Sequence, residues 1–128
     1  MNAFPDEERF TQILTECADE LPDGLFDQLN LGIHVSPMVR TSEASQPQQA
    51  LYVLGEYRKD AMGRSIVIYY GSFARLFSHL SEEALRSRMR ETLRHELRHH
   101  LEHQGGEYDL EWEDHLQMEE YRARLQKK

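Results

Sequence analysis

The chain has 128 residues, enough for one domain and too few for two ordinary ones, so we expect a single domain over residues 1–128. Its 23 acidic residues outnumber its 15 lysines and arginines, which gives a formal net charge of −8. This charge argues against nucleic acid or an anionic membrane as the main partner, because phosphates would be repelled. The single cysteine, Cys17, excludes an intrachain disulfide and fits a reducing compartment.

The N-terminus does not resemble a targeting segment. It turns acidic at Asp6, whereas a signal peptide needs a basic start followed by an apolar stretch. The longest apolar run, from Ile66 to Tyr70, is far short of the roughly 20 residues that span a bilayer. We therefore expect a soluble, cytoplasmic protein that makes no membrane contact.

Apolar periodicity predicts helices on either side of a small set of strands. Apolar residues at helical spacing, beginning with Phe10, predict a first helix over about 6–20 that Pro22 and Gly24 end. Alternating patterns predict three strands, the second and third of which are close enough to pair as a hairpin around the turn 60–63. The predicted strands cover residues 31–35, 51–57 and 65–70.

Three further helices are predicted after the strands, the first of them short, over 72–80. Ser81 is a good N-cap for a long helix that extends to about His103, and Gly105-Gly106 ends that helix. A last helix is expected over about 110–125.

The long helix has three distinct faces on a helical wheel. Leucine and methionine at positions 85, 89, 93 and 97 share the face expected in the core. Arginines recur at positions 86, 90, 94 and 98 on the next face, which is interpreted as solvated. The third face carries His95 and His99, whose rings project from one side of the helix, one turn apart.

These residues form the sequence His95-Glu96-Leu97-Arg98-His99, the H-E-x-x-H pattern of zinc hydrolases. The spacing has a chemical reason, because two imidazoles one turn apart can both reach one Zn²⁺ at about 2.0–2.1 Å. Glu96 is then placed to hydrogen-bond a water in the open position of the metal. The sequence thus predicts Zn²⁺ as cofactor, His95 and His99 as ligands, and Glu96 as the catalytic base.

A catalytic zinc site usually needs a third protein ligand. His103 lies about 12 Å along the helix from His95, too far for both rings to close easily on one ion. His100 points closer to the core and is interpreted as a hydrogen-bonded core histidine. The third ligand is therefore expected beyond Gly105-Gly106, where seven acidic residues fall within 107–120. Asp109 is the first candidate, followed by Glu113 and Asp114.

The motif His95-Glu96-Leu97-Arg98-His99-His100, followed by a glycine and then an acid, resembles a small bacterial family of zinc metallopeptidases with a minimal zincin fold. The hairpin ending in Ile66-Val67-Ile68-Tyr69-Tyr70-Gly71 and the segment Gly106-Glu107-Tyr108-Asp109 are also similar. The resemblance covers about residues 8–121 and matches Asp109 to the family's G-x-x-D acid. Commoner members place that glycine three residues after the second motif histidine, where this chain has Glu102.

The resemblance implies an α+β, minimal zincin-like domain. Its parts would be a small three-stranded sheet, an N-terminal helix, the long H-E-x-x-H helix and a C-terminal helix. It also implies the activity of a zinc metallopeptidase.

Three functions are compatible with the sequence. The first is a zinc-dependent peptidase acting on a peptide or protein, in which Tyr108, His103 or His115 supports the oxyanion. The strand near 66–70 would align the substrate by strand addition if it lies at an edge of the sheet, and is otherwise a core strand. The second is a non-catalytic zinc-binding module with the same fold that acts in protein interaction and holds the metal in a closed site. The third is a metal-free helical interaction protein. Metal content, and then the number of protein ligands, would distinguish them.

Overall fold

The computed structural model describes residues 4–43 and 51–103. Within these residues, three helices and a small three-stranded mixed sheet form an α+β arrangement, which confirms the predicted fold class. The elements are α1 (Glu7–Asp19), a 3₁₀ turn (Asp23–Phe26), β1 (Ile33–Ser36), β2 (Gly55–Asp60), β3 (Gly63–Tyr69), α2 (Tyr70–Phe77) and α3 (Glu82–His103). The C-terminal helix expected over 110–125 lies outside the described residues.

β3 is the central strand of the sheet, whose order is β1-β3-β2. It pairs in parallel with β1 and antiparallel with β2, and Ile66 and Ile68 on it are fully buried. Because both edges of β3 are occupied, the strand near 66–70 is the core strand of the two alternatives, and the alternative in which it aligns a substrate by strand addition is wrong. The strand that can offer an edge beside the motif helix is β2.

The hairpin between β2 and β3 forms at the predicted turn. The Asp60 side chain accepts hydrogen bonds from the amides of Met62 and Gly63, at 2.8 and 3.2 Å. Gly63 has φ +143°, a conformation that residues with a Cβ rarely adopt.

β2 begins and ends later than the sequence pattern indicates. Residues before it pair with another segment, because the Val53 amide donates to the Arg40 carbonyl at 2.9 Å and Tyr52 bridges Thr41. Its last three residues, 58–60, are polar and exposed, so they lack the alternation that marks a half-buried strand.

The core lies between the sheet and the two long helices, α1 and α3. Its residues include Phe10, Ile13 and Leu14 of α1, Ile66 and Ile68 of β3, and Leu85, Met89, Leu93 and Leu97 of α3. This confirms the predicted leucine and methionine face of the long helix. Cys17 is buried in the same core, as expected for the apolar side of α1, and burial raises the pKa of its thiol to about 11.

The arginine row on α3 is not a solvated face, which corrects the sequence interpretation. Arg86 pairs with Glu16 and Arg90 with Glu20, both at 2.8 Å, and Arg94 is only 3% exposed. The long aliphatic stems cover apolar surface while the guanidinium groups reach the acidic side of α1. These pairs lie where the two helices meet, which helical periodicity within α3 alone does not reveal.

α3 begins as the sequence predicts. The Ser81 hydroxyl accepts a hydrogen bond from the Ala84 amide at 3.1 Å, and Glu82 and Glu83 occupy the first turn, where the helix dipole favours them. Within residues 4–43 and 51–103, no helix is both long enough and apolar enough to cross a bilayer.

The segment after β1 is held against the start of α2. The buried Ser72 hydroxyl accepts from the Arg40 amide at 2.9 Å and donates to the Arg40 carbonyl at 3.1 Å. The segment after β1 and the start of α2 lie close together, since a Cβ on Gly71 would stand 2.6 Å from the Met38 carbonyl group. Ser72 thereby fixes the segment that pairs with residues 51–53 in front of β2.

We expect Ser72→Ala to lower the free energy of unfolding by about 1–3 kcal/mol, because two backbone groups lose their partner. Urea unfolding followed by circular dichroism measures this. The control, Ser78→Ala at the exposed end of the same helix, should change it by less than about 0.5 kcal/mol. Equal effects of the two substitutions would contradict the role assigned to Ser72.

Candidate active site

The motif helix α3 displays its two histidines beside one buried carboxylate. The ring centroids of His95 and His99 lie 4.6 Å apart, one helical turn from each other. His95 is exposed and His99 is half-buried, whereas Glu96 is only 6% exposed. Two imidazoles that reach solvent and a shielded carboxylate thus share one end of the helix.

Burial raises the pKa of the Glu96 carboxyl, because desolvation disfavours its charged form. Positive charge on His95 and His99 and a hydrogen bond from the Tyr57 amide oppose the shift, while the nearby charge of Glu56 adds to it. The net shift is upward. A carboxylate with a raised pKa is a stronger base than an exposed glutamate, which suits proton transfer from water.

The register of the hairpin explains how the Tyr57 amide reaches Glu96. In an antiparallel pair, alternate residues exchange hydrogen bonds with the partner strand. The Tyr69 amide donates to the Leu54 carbonyl at 2.9 Å, so even-numbered residues of β2 face β3. Gly55 and Tyr57 therefore direct their backbone groups away from the sheet, toward α3.

His100 is fully buried, as predicted for a core histidine, and both of its ring nitrogens are engaged. Nε2 lies 2.7 Å from the Asp27 carbonyl oxygen and Nδ1 lies 3.0 Å from the Tyr57 hydroxyl. A carbonyl can only accept, so Nε2 carries the proton that is donated to Asp27. In the neutral ring, Nδ1 then accepts from the Tyr57 hydroxyl.

A groove of about 430 Å³ opens between α3 and the chain that leads into β2. Residues that line it are Tyr52, Val53, Leu54 and Gly55 on one side and Glu91, Thr92, His95 and Glu96 on the other. The two sides lie close together at Gly55, where a Cβ would lie 3.0 Å from Thr92 Cγ2. Glycine at this position lets the helix sit close enough to bury Glu96.

A polar cluster lies beside β2 on the face of the sheet opposite to the core residues Ile66 and Ile68. The buried Tyr69 hydroxyl donates to Glu56 at 2.7 Å and lies 3.2 and 3.0 Å from the guanidinium groups of Arg40 and Arg58. Arg40 also pairs with Glu56 at 3.2 Å. The cluster joins β2, β3 and the segment before the groove, which limits their relative movement.

Of the predicted site residues, the structure brings His95, Glu96 and His99 together. The backbone of His103 belongs to α3, and its side chain is outside the described part. The other predicted residues also lie outside the described residues: Tyr108, Asp109, Glu113, Asp114 and His115. Among residues 4–43 and 51–103, no group of three or more potential ligands is arranged to hold a metal.

The donor chemistry of the described residues nonetheless fits zinc in part. His95 and His99 supply two imidazole nitrogens from adjacent turns, which is the ligand type and spacing that zinc prefers. A carboxylate from beyond residue 103 would complete three protein ligands.

An α+β domain whose H-E-x-x-H helix packs beside a strand edge defines the class of zincin-like metallopeptidases. The chain belongs to this family, since the family model for zincin-like metallopeptidases matches residues 3–115. A similar solved structure is a conserved hypothetical protein from T. thermophilus, with 29% identity and a TM-score of 0.66. The match covers 80% of this chain and 100% of that one. A comparison of this chain with the curated proteins found no match.

Sequence reasoning missed three residues of this site: Gly55, Tyr57 and Thr92. The sequence pattern places Gly55 and Tyr57 only within the second predicted strand, over 51–57. Their roles depend on α3 packing against β2, and this contact joins residues far apart in sequence: Tyr57 to His100 and Gly55 to Thr92. No local signal in a single sequence identifies them.

We expect Gly55→Ala to lower the free energy of unfolding by about 1–3 kcal/mol, because the new Cβ pushes α3 away from β2. Combining it with Thr92→Ser, which removes Cγ2 and can keep the hydroxyl bond to the Arg88 carbonyl, should recover part of this loss. A double-mutant cycle by urea unfolding measures the coupling. An identical cost of Gly55→Ala in both backgrounds would contradict the close packing inferred here.

Proposed function

We propose that this protein is a zinc-dependent peptidase in which Glu96 acts as general base. The observation that carries the proposal is the placement of Glu96, which is buried between two imidazoles that reach the surface and lines a groove together with His95. Membership of the zincin-like metallopeptidase family supports the same chemistry.

His95 and His99 are proposed to hold Zn²⁺ together with Asp109, with Glu113 and Asp114 as the alternative third ligands. When bound, zinc supplies a Lewis acid that acidifies water and polarises the carbonyl of the scissile bond. Tyr108, His103 and His115 are candidates to support the oxyanion.

Glu96 is proposed to take a proton from the attacking water and to deliver it to the leaving amine. Its burial keeps the carboxylate poorly solvated, which makes it more ready to accept the proton. The Tyr57 amide keeps the carboxylate oriented during this cycle.

A peptide substrate is proposed to lie in the groove along the chain entering β2. Val53 and Tyr57 already use their amides, toward Arg40 and Glu96 respectively, and Gly55 lies between them with its backbone directed at the groove. An extended peptide can pair with such an edge through main-chain hydrogen bonds. This assigns to β2 the alignment role that sequence analysis assigned to the strand near 66–70.

We expect the protein to bind one zinc ion, and His95→Ala or His99→Ala to weaken zinc affinity by about 100-fold or more. Isothermal titration with zinc against a competing chelator measures this. His79→Ala, in the exposed turn after α2, is the matched control and should leave affinity unchanged. A wild-type protein that takes up no zinc would establish the metal-free interpretation instead.

We expect zinc-loaded Glu96→Gln to retain the metal while peptide hydrolysis falls by about 10²- to 10⁴-fold, because the base is lost. Cleavage of a peptide library, followed by mass spectrometry, compares it with zinc-loaded wild type. Equal rates would refute the role given to Glu96. Zinc binding with no hydrolysis by either protein would favour the non-catalytic zinc-binding module.

A further inference from the structure

One buried side chain of the H-E-x-x-H-H helix has no part in the proposed ligand set. His100 follows the second ligand directly and is fully buried, with hydrogen bonds on both ring nitrogens. Glu96 and His100 are four residues apart, so they share one side of α3. Both contact Tyr57, Glu96 through the backbone amide and His100 through the hydroxyl.

We propose that Tyr57 and His100 are positioning residues for the general base: His100 fixes the Tyr57 side chain, and Tyr57 presents its backbone amide to the Glu96 carboxylate. The inference rests on the proposed function of Glu96. It assigns a role to the second histidine of the His99-His100 pair, which is kept from the metal by its burial and its two hydrogen bonds.

In this arrangement Tyr57 of β2 is held both at its backbone amide, by Glu96, and at its hydroxyl, by His100. The Tyr57 ring packs against the His100 ring, with centroids 5.4 Å apart. His100 Nε2 donates a hydrogen bond to the Asp27 carbonyl at 2.7 Å. This hydrogen bond connects α3 to the turn just after the 3₁₀ segment. With the side chain held, the amide of the same residue has little freedom to leave Glu96.

A carboxylate that must accept a proton from water needs one oxygen free and a fixed orientation. One amide donor satisfies part of the hydrogen-bonding capacity of Glu96 without neutralising it. Loss of this orientation should affect the chemical step more than substrate binding, since a displacement of about 1 Å at a reacting group can cost roughly 100-fold in rate.

Tyr57→Phe tests the proposal while keeping the ring and the backbone. We expect kcat of the zinc-loaded protein to fall about 10- to 100-fold, with KM and zinc affinity changed by less than about threefold. Tyr70→Phe is the matched control, because it removes a hydroxyl that donates to the Pro5 carbonyl at 2.7 Å, away from the groove, and should leave kcat unchanged. A kcat equal to that of wild type would overturn the proposal.

His100→Gln gives a second, independent variant. The glutamine side-chain amide can still donate to the Asp27 carbonyl, but it has no acceptor at the position of His100 Nδ1, which accepts from the Tyr57 hydroxyl. If the two residues act through one contact, the double variant should lose little more kcat than the worse single variant. If the losses of kcat in the two single variants multiply in the double variant, the two residues act independently and the shared role is overturned. If His100→Gln does not fold, Tyr57→Phe decides the outcome alone.

A measurement without turnover separates this inference from the proposed function. In ¹⁵N-labelled protein, Glu96→Gln should move the Tyr57 amide proton upfield, because a charged acceptor is replaced by a neutral one. In the His100→Gln background the same change should be smaller. An amide that does not respond to Glu96→Gln overturns the proposal, even if the wild type is an active peptidase. If the wild type shows no hydrolysis, the proposed function fails and the amide response still tests the contact.

Discussion

The contact between α3 and the outer edge of β2 is the constraint on which the rest of the site depends. It brings the Tyr57 amide to Glu96 and the Tyr57 hydroxyl to His100, and it favours glycine at position 55, where a Cβ would lie 3.0 Å from Thr92 Cγ2. The same helix places Leu93 and Leu97 in the core. Glu96 is therefore buried by the packing that stabilises the domain, and its raised pKa is a consequence of the fold.

The sheet order makes this contact available. Because β3 is the strand shared by β1 and β2, β2 keeps one edge for the helix and the groove. Just before β2, the Val53 amide donates to the Arg40 carbonyl. Along β2 itself, Gly55 lines the groove and the Tyr57 amide donates to the Glu96 carboxylate. One strand and one helix thus form both a groove and a shielded carboxylate.

Features set by local sequence could be predicted, and features set by pairing between distant segments could not. The helical periodicity of α1 and α3, the Ser81 cap and the four-residue spacing of His95 and His99 depend on neighbours within a turn or two. The central position of β3 depends on its pairing with the distant β1, and the site at β2 depends on the packing of the distant helix α3. The arginine row of α3 is misinterpreted for a related reason, since Glu16 and Glu20, the partners of Arg86 and Arg90, belong to another helix.

The central claim is that zinc sits at His95 and His99, next to Glu96, with one position open to water. A crystal structure of the zinc-loaded protein with anomalous data at the zinc edge tests it most directly. We predict one zinc ion at about 2.0–2.1 Å from a nitrogen of each imidazole, a carboxylate as third ligand, and a solvent molecule within reach of Glu96. A metal held by four protein ligands, or one that leaves either histidine uncoordinated, would contradict the proposed catalytic site.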